Sequence, residues 1–114
     1  MWDETESKQG YLLRVFLGES DHSGHLPLYE AVVKRARSEG LAGATVLRGL
    51  MGYGRGSVLH TAKVLRLSED LPVIVEIVDS LEKIERFVPI LRELARGCHY
   101  LVTLEKVTLI RSED

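Results

Sequence analysis

The segment "LPVIVEIVDSLEKIERFVPILRELARG", residues 71–97, limits the fold more than any other part of the chain. Leu71–Val78 is rich in β-branched residues and bounded by polar residues, which predicts a strand. Pro72 fits the beginning of that strand, where no ladder hydrogen bond is required of it. The period then changes within a few residues. Leu81, Ile84, Val88, Leu91 and Ala95 recur at helical spacing and form one apolar stripe. Asp79 and Glu82 have the spacing of a capping box, with Asp in the place of Ser or Thr. Pro89 lies inside the stripe and predicts a bend over Glu85–Pro89, because an interior proline removes one hydrogen bond. Gly97 ends the helix. A buried strand running straight into an amphipathic helix needs a sheet beneath the helix and neighbouring strands beside it.

The rest of the chain supplies those neighbours. Tyr11–Leu17 alternates and predicts a strand. "GESDHSGHL" reads as a polar loop. A helix follows from Pro27, a residue suited to the first helical position. It buries Leu28, Ala31, Val32 and Ala36 and closes at Gly40, with Arg35 and Arg37 near the negative end of its dipole. "AGATVLRGLMG" predicts a second strand. "HYLVTLEKVTLIR" predicts the last strand, with a bulge near Glu105–Lys106 where the alternation loses contrast. The order is βαββαβ, so the fold class is α+β: a ferredoxin-like sandwich of a four-stranded antiparallel sheet with two helices on one face. Residues 1–10 read as a tail and residues 11–111 as a single domain, within the usual size for a chain of 114 residues.

Such a sheet leaves one face bare, and here both faces are mostly apolar. In the first strand Leu12, Arg14 and Phe16 share one side. In the third, Ile74, Glu76 and Val78 share one. A wide apolar patch carrying isolated charges predicts a homo-oligomer that packs these faces together, with Arg14, Arg48 and Glu76 paired across or near the interface.

Composition narrows the classes of function. The net charge is −2, which gives no general bias toward nucleic acid. No apolar run approaches the roughly 20 residues of a membrane helix. The polar start "MWDETESKQG" has no signal-peptide character, and a cytoplasmic location is the expectation. The lone Cys98 has no disulfide partner and matches no metal or redox spacing; it reads as a small, partly buried residue.

"GATVLRGLMGYGRGS", residues 43–57, is the stretch with the most chemical content. Gly52, Gly54 and Gly56 alternate. Glycines at that spacing allow positive φ and close approach of a ligand to backbone N–H groups, which can form an anion nest. Arg55 would add a fork of donors suited to phosphate or carboxylate. Arg48, His60, Lys63 and Arg66 lie nearby, and no acid falls between Arg48 and Arg66. Neither a Walker loop nor a GxGxxG spacing is present. The residues alone leave two readings level: an anion cradle, or a tight glycine bend that ends a strand.

The same stretch resembles the second strand and following loop of PII signalling proteins, with Gly43, Thr45, Val46, Gly52, Tyr53, Gly54 and Arg55 matching the family pattern. The chain is still more similar to a prokaryotic PII-like group classed as a domain of unknown function, through "VFLGESD", "PLYEAVV", "GLAGATVLRG", "GYG", "RLSEDLPVIVEIVD" and "IERF". The resemblance implies a homotrimer. It also implies a small anionic effector, with ATP, ADP and AMP among the candidates, bound in clefts between subunits, with Gly52, Gly54 and Arg55 on the phosphate side. It further implies signalling through the 55–70 loop to a partner protein: a transporter, channel or enzyme. The chain departs from PII in three places. Gly56-Ser57-Val58 replaces Gln-Lys-Gly, the tyrosine-centred modification motif is missing, and "ARGCHY" is a much shorter loop than its PII counterpart.

Two other chemistries compete. His22 and His25 flank a Ser-Gly turn near Glu19 and Asp21, a set from which a divalent-metal site could be built, as CutA proteins of the same fold suggest. Glu19 and Asp21, just after the first strand, could do acid–base work in a small enzyme, though no nucleophile accompanies them. Ser68 and Asp70 read as turn formers and His99 as structural.

Overall fold

The computed structural model describes residues 7–54, 59–61 and 70–111. In chain order the elements are β1 (Ser7–Gly18), β2 (His22–Ser23), β3 (Leu26–Pro27), α1 (Leu28–Ser38), β4 (Gly43–Arg48), β5 (Met51–Gly52), β6 (His60–Thr61), β7 (Pro72–Asp79), α2 (Leu81–Leu94) and β8 (Leu101–Ile110). Four of the strands form one sheet in the order β4-β7-β1-β8, with every neighbouring pair antiparallel. This is the expected βαββαβ arrangement. The two short pairs, β2–β3 and β5–β6, are additions to it.

Alternation decides what the sheet buries. Leu13, Val15 and Leu17 of β1 stand opposite Ile77, Val75 and Val73 of β7, and all six are buried. Both helices cover this face. α1 contributes Leu28, Ala31, Val32 and Ala36, as its spacing predicts, and α2 contributes Ile84, Phe87 and Leu91, with Ala95 just beyond it. Deep burial of this many aliphatic side chains is the main driving force of the fold.

Several boundaries differ from the sequence expectation, each for a physical reason. β1 begins at Ser7 rather than Tyr11, because Ser7–Gly10 pair with Val107–Ile110 of β8. Pro27 is the residue before α1, with φ −54° and ψ 139°, and pairs with His22 in the β2–β3 hairpin. Gly24 takes the positive φ (60°) in that hairpin's turn.

The cap of α2 is Ser80, whose side chain accepts from the Lys83 N–H at 3.4 Å, and not Asp79. Asp79 is the buried last residue of β7. Its carboxylate accepts the Ala42 N–H at 2.8 Å and the Ser80 N–H at 2.6 Å, so it joins β7 to the approach of β4. Leu81 is half exposed, whereas Phe87, which the stripe did not include, is buried in the core. α2 runs through Pro89 without a break. Pro89 is on the exposed side, where water can hydrate the carbonyl that lost its N–H partner. The register of β8 against β1 is continuous from Ser7↔Ile110 to Phe16↔Leu101, so no bulge occurs at Glu105–Lys106. The alternation fades there because β8 is an edge strand, only partly covered on either side.

Candidate functional site

One end of the sheet carries Arg48, Glu19 and Asp21 and the start of the glycine stretch. β1 and β4 end there and β7 begins there. The glycine stretch leaves β4 at this end. Gly49 donates its N–H to the Pro72 carbonyl at 2.7 Å, which prolongs the β4–β7 pairing by one residue beyond Arg48. Met51 and Gly52 then pair with Thr61 and His60.

The glycines themselves are set by packing. A Cβ on Gly49 would lie 2.8 Å from Cγ of Pro72, and one on Gly52 would lie 3.0 Å from the same atom. Neither Gly52 nor Gly54 has a positive φ; among the described glycines only Gly24, Gly40 and Gly97 do. Gly52 is therefore small because Pro72 is close, and not because its backbone is left-handed. The space where a Cβ of Gly54 would project is open. Of the other candidates, His60 contributes its backbone to β6, while Arg55, Gly56 and Lys63, like Arg66 and Ser68, lie outside the described residues.

The turn after β1 is held from several directions. Glu19 donates its N–H to the Leu71 carbonyl at 2.8 Å, and its carboxylate pairs with Arg48 at 3.0 Å. Ser20 donates its N–H to Asp70 at 2.8 Å. Asp21 accepts the Gly18 N–H at 2.9 Å and, through its own carbonyl, the Leu28 N–H at 2.7 Å. A Cβ on Gly18 would lie within 3.3 Å of both the Asp70 and Asp21 carboxylates. Glu19 and Asp21 thus hold backbone and a cation in place. Asp70 bonds across to Ser20 where a local turn contact was expected, and the sequence shows no signal for that long-range bond.

The histidines are separated by the hairpin. Nδ1 of His22 lies 2.6 Å from the Ser20 carbonyl, and His25 is at the exposed turn. Among the described residues no three His, Cys, Asp or Glu side chains are grouped as a metal ion requires. Cys98 is half-buried, and its thiol lies 3.6 Å from the His22 carbonyl.

The bare face of the sheet is the second feature. Register places Leu12, Arg14 and Phe16 beside Ile74, Glu76 and Val78, with Thr45 and Leu47 on one flank and Leu101, Thr103, Glu105 and Val107 on the other. Leu47 is 46% exposed and Leu101 61%. In the middle, the Arg14 guanidinium pairs with Glu76 at 2.8 Å and also with Glu105. The hydrogen bond that Arg14 donates to Glu76, helped by the field of Glu105 and opposed by partial burial, holds Arg14 more firmly protonated than usual. Arg48 does not join this group. It stands opposite Val73, on the helix-bearing face, and pairs with Glu19 instead. Glu105 was the member missed in the sequence, although its distance along β8 from Leu101 and Thr103 puts it on the same face.

A four-stranded antiparallel sheet with two helices on one face defines a ferredoxin-like α+β fold, and solved PII-like proteins share it. The structure of CPII, a nitrogen regulatory PII-like protein from Thiomonas intermedia K12 bound to ADP, AMP and bicarbonate, superposes with a TM-score of 0.66, covering 92% of each chain at 15% identity. A PII-like protein from Thermus thermophilus superposes with a TM-score of 0.67 at 18% identity, covering 92% of this chain and 93% of that one. The chain belongs to the DUF190 family, an uncharacterized ACR family, over residues 10–109. A UPF0166 protein of Aquifex aeolicus is 41% identical over 87% of this chain and 91% of its own length.

Proposed function

We propose that this protein is a PII-like regulator: a non-catalytic cytoplasmic homotrimer that senses a small anion, a nucleotide first among the candidates, at clefts between subunits. Gly52, Gly54, Arg55 and Gly56 form the anion side of the cleft, with Arg48, His60 and Lys63 adding positive charge. The 55–70 segment carries the signal to a partner transporter, channel or enzyme.

One observation carries this reading. Arg48 and Asp70, which flank the glycine stretch and the 55–70 segment, are both tied to the single turn Gly18–Asp21, through Glu19 and Ser20. An anion that draws Arg48 away from Glu19 loosens one tie and leaves the other, so ligand occupancy and the conformation of the segment are linked. The ADP, AMP and bicarbonate held by the Thiomonas protein of the same fold suggest which anions to try.

The test is a thermal-shift series with ATP, ADP, AMP, bicarbonate and 2-oxoglutarate on the wild type and Arg55→Ala. Ligands that bind the native state raise Tm by mass action. The expected result is a rise with at least one of these anions that Arg55→Ala abolishes. No rise with any of them would defeat the reading.

A further inference from the structure

The β1–β8 pairing runs past the end of β7. Tyr11 is the first residue of β1 with a partner in β7, whereas Ser7–Gly10 pair only with Val107–Ile110. The result is a two-stranded ribbon that overhangs the sheet. An isolated two-stranded ribbon is marginal in water without a surface to pack on. Leu109 folds over Gly10 on the open-face side of this ribbon, since a Cβ on Gly10 would meet its Cδ1 at 2.5 Å. Ile110, on the other side, is 52% exposed.

Charge points to what the ribbon meets. By register Lys8 is on the same face as Arg14. It is exposed and forms no ion pair with any described residue. The Arg14 group carries one cation and two carboxylates, so it has one negative charge in excess, and Glu105 is its more exposed carboxylate. Lys8 stands opposite Leu109, while Glu105 stands opposite Leu12, roughly 13 Å further along the strands at about 3.3 Å per residue. The Lys8 cation and the excess anion therefore sit at separate places on one face.

We infer that the ribbon of one copy lies on the open face of the next, bringing Lys8 to the neighbour's Glu105 and balancing the Arg14–Glu76–Glu105 group. Ribbon and charged group are different patches, so the contact can repeat head-to-tail around a ring; a two-fold dimer would form the same pair twice, and it is the proposed trimer that selects the ring. The inference deepens the proposed trimer and rests on it. It names the contact that fixes which way round the copies join. Burying an uncompensated carboxylate is costly, so the pair acts mainly on specificity.

The test is a charge-reversal cycle read by light scattering across a dilution series: wild type, Lys8→Glu, Glu105→Lys and the double variant, without added ligand. Each single reversal is expected to raise the dissociation constant of the assembly by about 10-fold or more, and the double reversal to recover most of that loss. Circular dichroism checks the fold. If Glu105→Lys beside Arg14 does not fold, Lys8→Gln, Glu105→Gln and their double replace it, the double then being no weaker than either single. A wild type that assembles while the singles leave it unchanged, or a double whose losses simply add, overturns the inference and leaves the trimer standing. A wild type that remains monomeric overturns both.

Discussion

Gly49 and Gly52 pack against the same proline, and Gly54 faces open space. That difference separates packing from recognition at the level of single residues. Gly49→Ala drives a Cβ against the ring and the carbonyl of Pro72, whose N-terminal place in β7 gives it little room to shift. A loss of about 1–3 kcal/mol in urea unfolding is the expected result. Gly54→Ala should leave unfolding unchanged, so any loss of anion binding in that variant belongs to the ligand and not to the fold. Asp79 gives a second test at this scale. Its buried carboxylate accepts two backbone N–H groups through part-buried bonds, and Asp79→Ala removes that acceptor from both. The expected cost is about 1–3 kcal/mol, that of lost bonds to a charged acceptor whose donors water can reach.

At the scale of elements, local signals were reliable where one element decides its own boundary. They failed where a distant segment decides it. The core faces of β1, β7 and α1 followed from alternation and helical spacing, and Gly40 ends α1 with φ +82° as its type suggests. The ribbon could not be read from "SKQG", which has no β-pattern, because its strand form comes from β8. The cap of α2 was misread by one residue because Asp79 and Ser80 are both good caps and only the buried pairing of Asp79 with Ala42 separates them. The site was legible to a smaller extent. Arg48 was expected beside Arg14 and Glu76 but lies on the helix-bearing face, Gly52 and Gly54 lack a positive φ, and the partners that hold Arg48 and Asp70 come from a turn distant in sequence. Pro89 supplies the prediction for this scale. It interrupts the hydrogen bonding of α2 on an exposed face. Pro89→Ala should restore the bond to Glu85 and raise stability by about 1–3 kcal/mol, observed as an increase in Tm. A fall in stability would mean that the helix axis is adapted to the proline.

For the whole molecule the question is whether ligand and assembly depend on one another. The open face presents Leu12, Phe16, Leu47 and Leu101 to whatever covers it. A charge in the middle of that patch should oppose association without disturbing the opposite face, which holds the core. Phe16→Asp is the appropriate change, because its neighbours Val15 and Leu17 are the buried ones and Phe16 itself points away from them. The variant is expected to keep its circular dichroism spectrum and to run as a monomer in light scattering. Ligand binding then separates two arrangements. If each anion is held between two copies, the monomer loses its response entirely. A ligand at 100 times its dissociation constant adds about 2.7 kcal/mol, which for a domain of this size is a rise on the order of 10 °C. That rise, present in the wild type, should vanish in Phe16→Asp. If the monomer keeps the full rise, one copy holds the anion alone, and the coupling through the turn Gly18–Asp21 acts within a subunit. A stable trimer in Phe16→Asp would mean that the open face is not the surface that joins the copies, and the ligand cleft would have to be sought on the edges of β4 and β8.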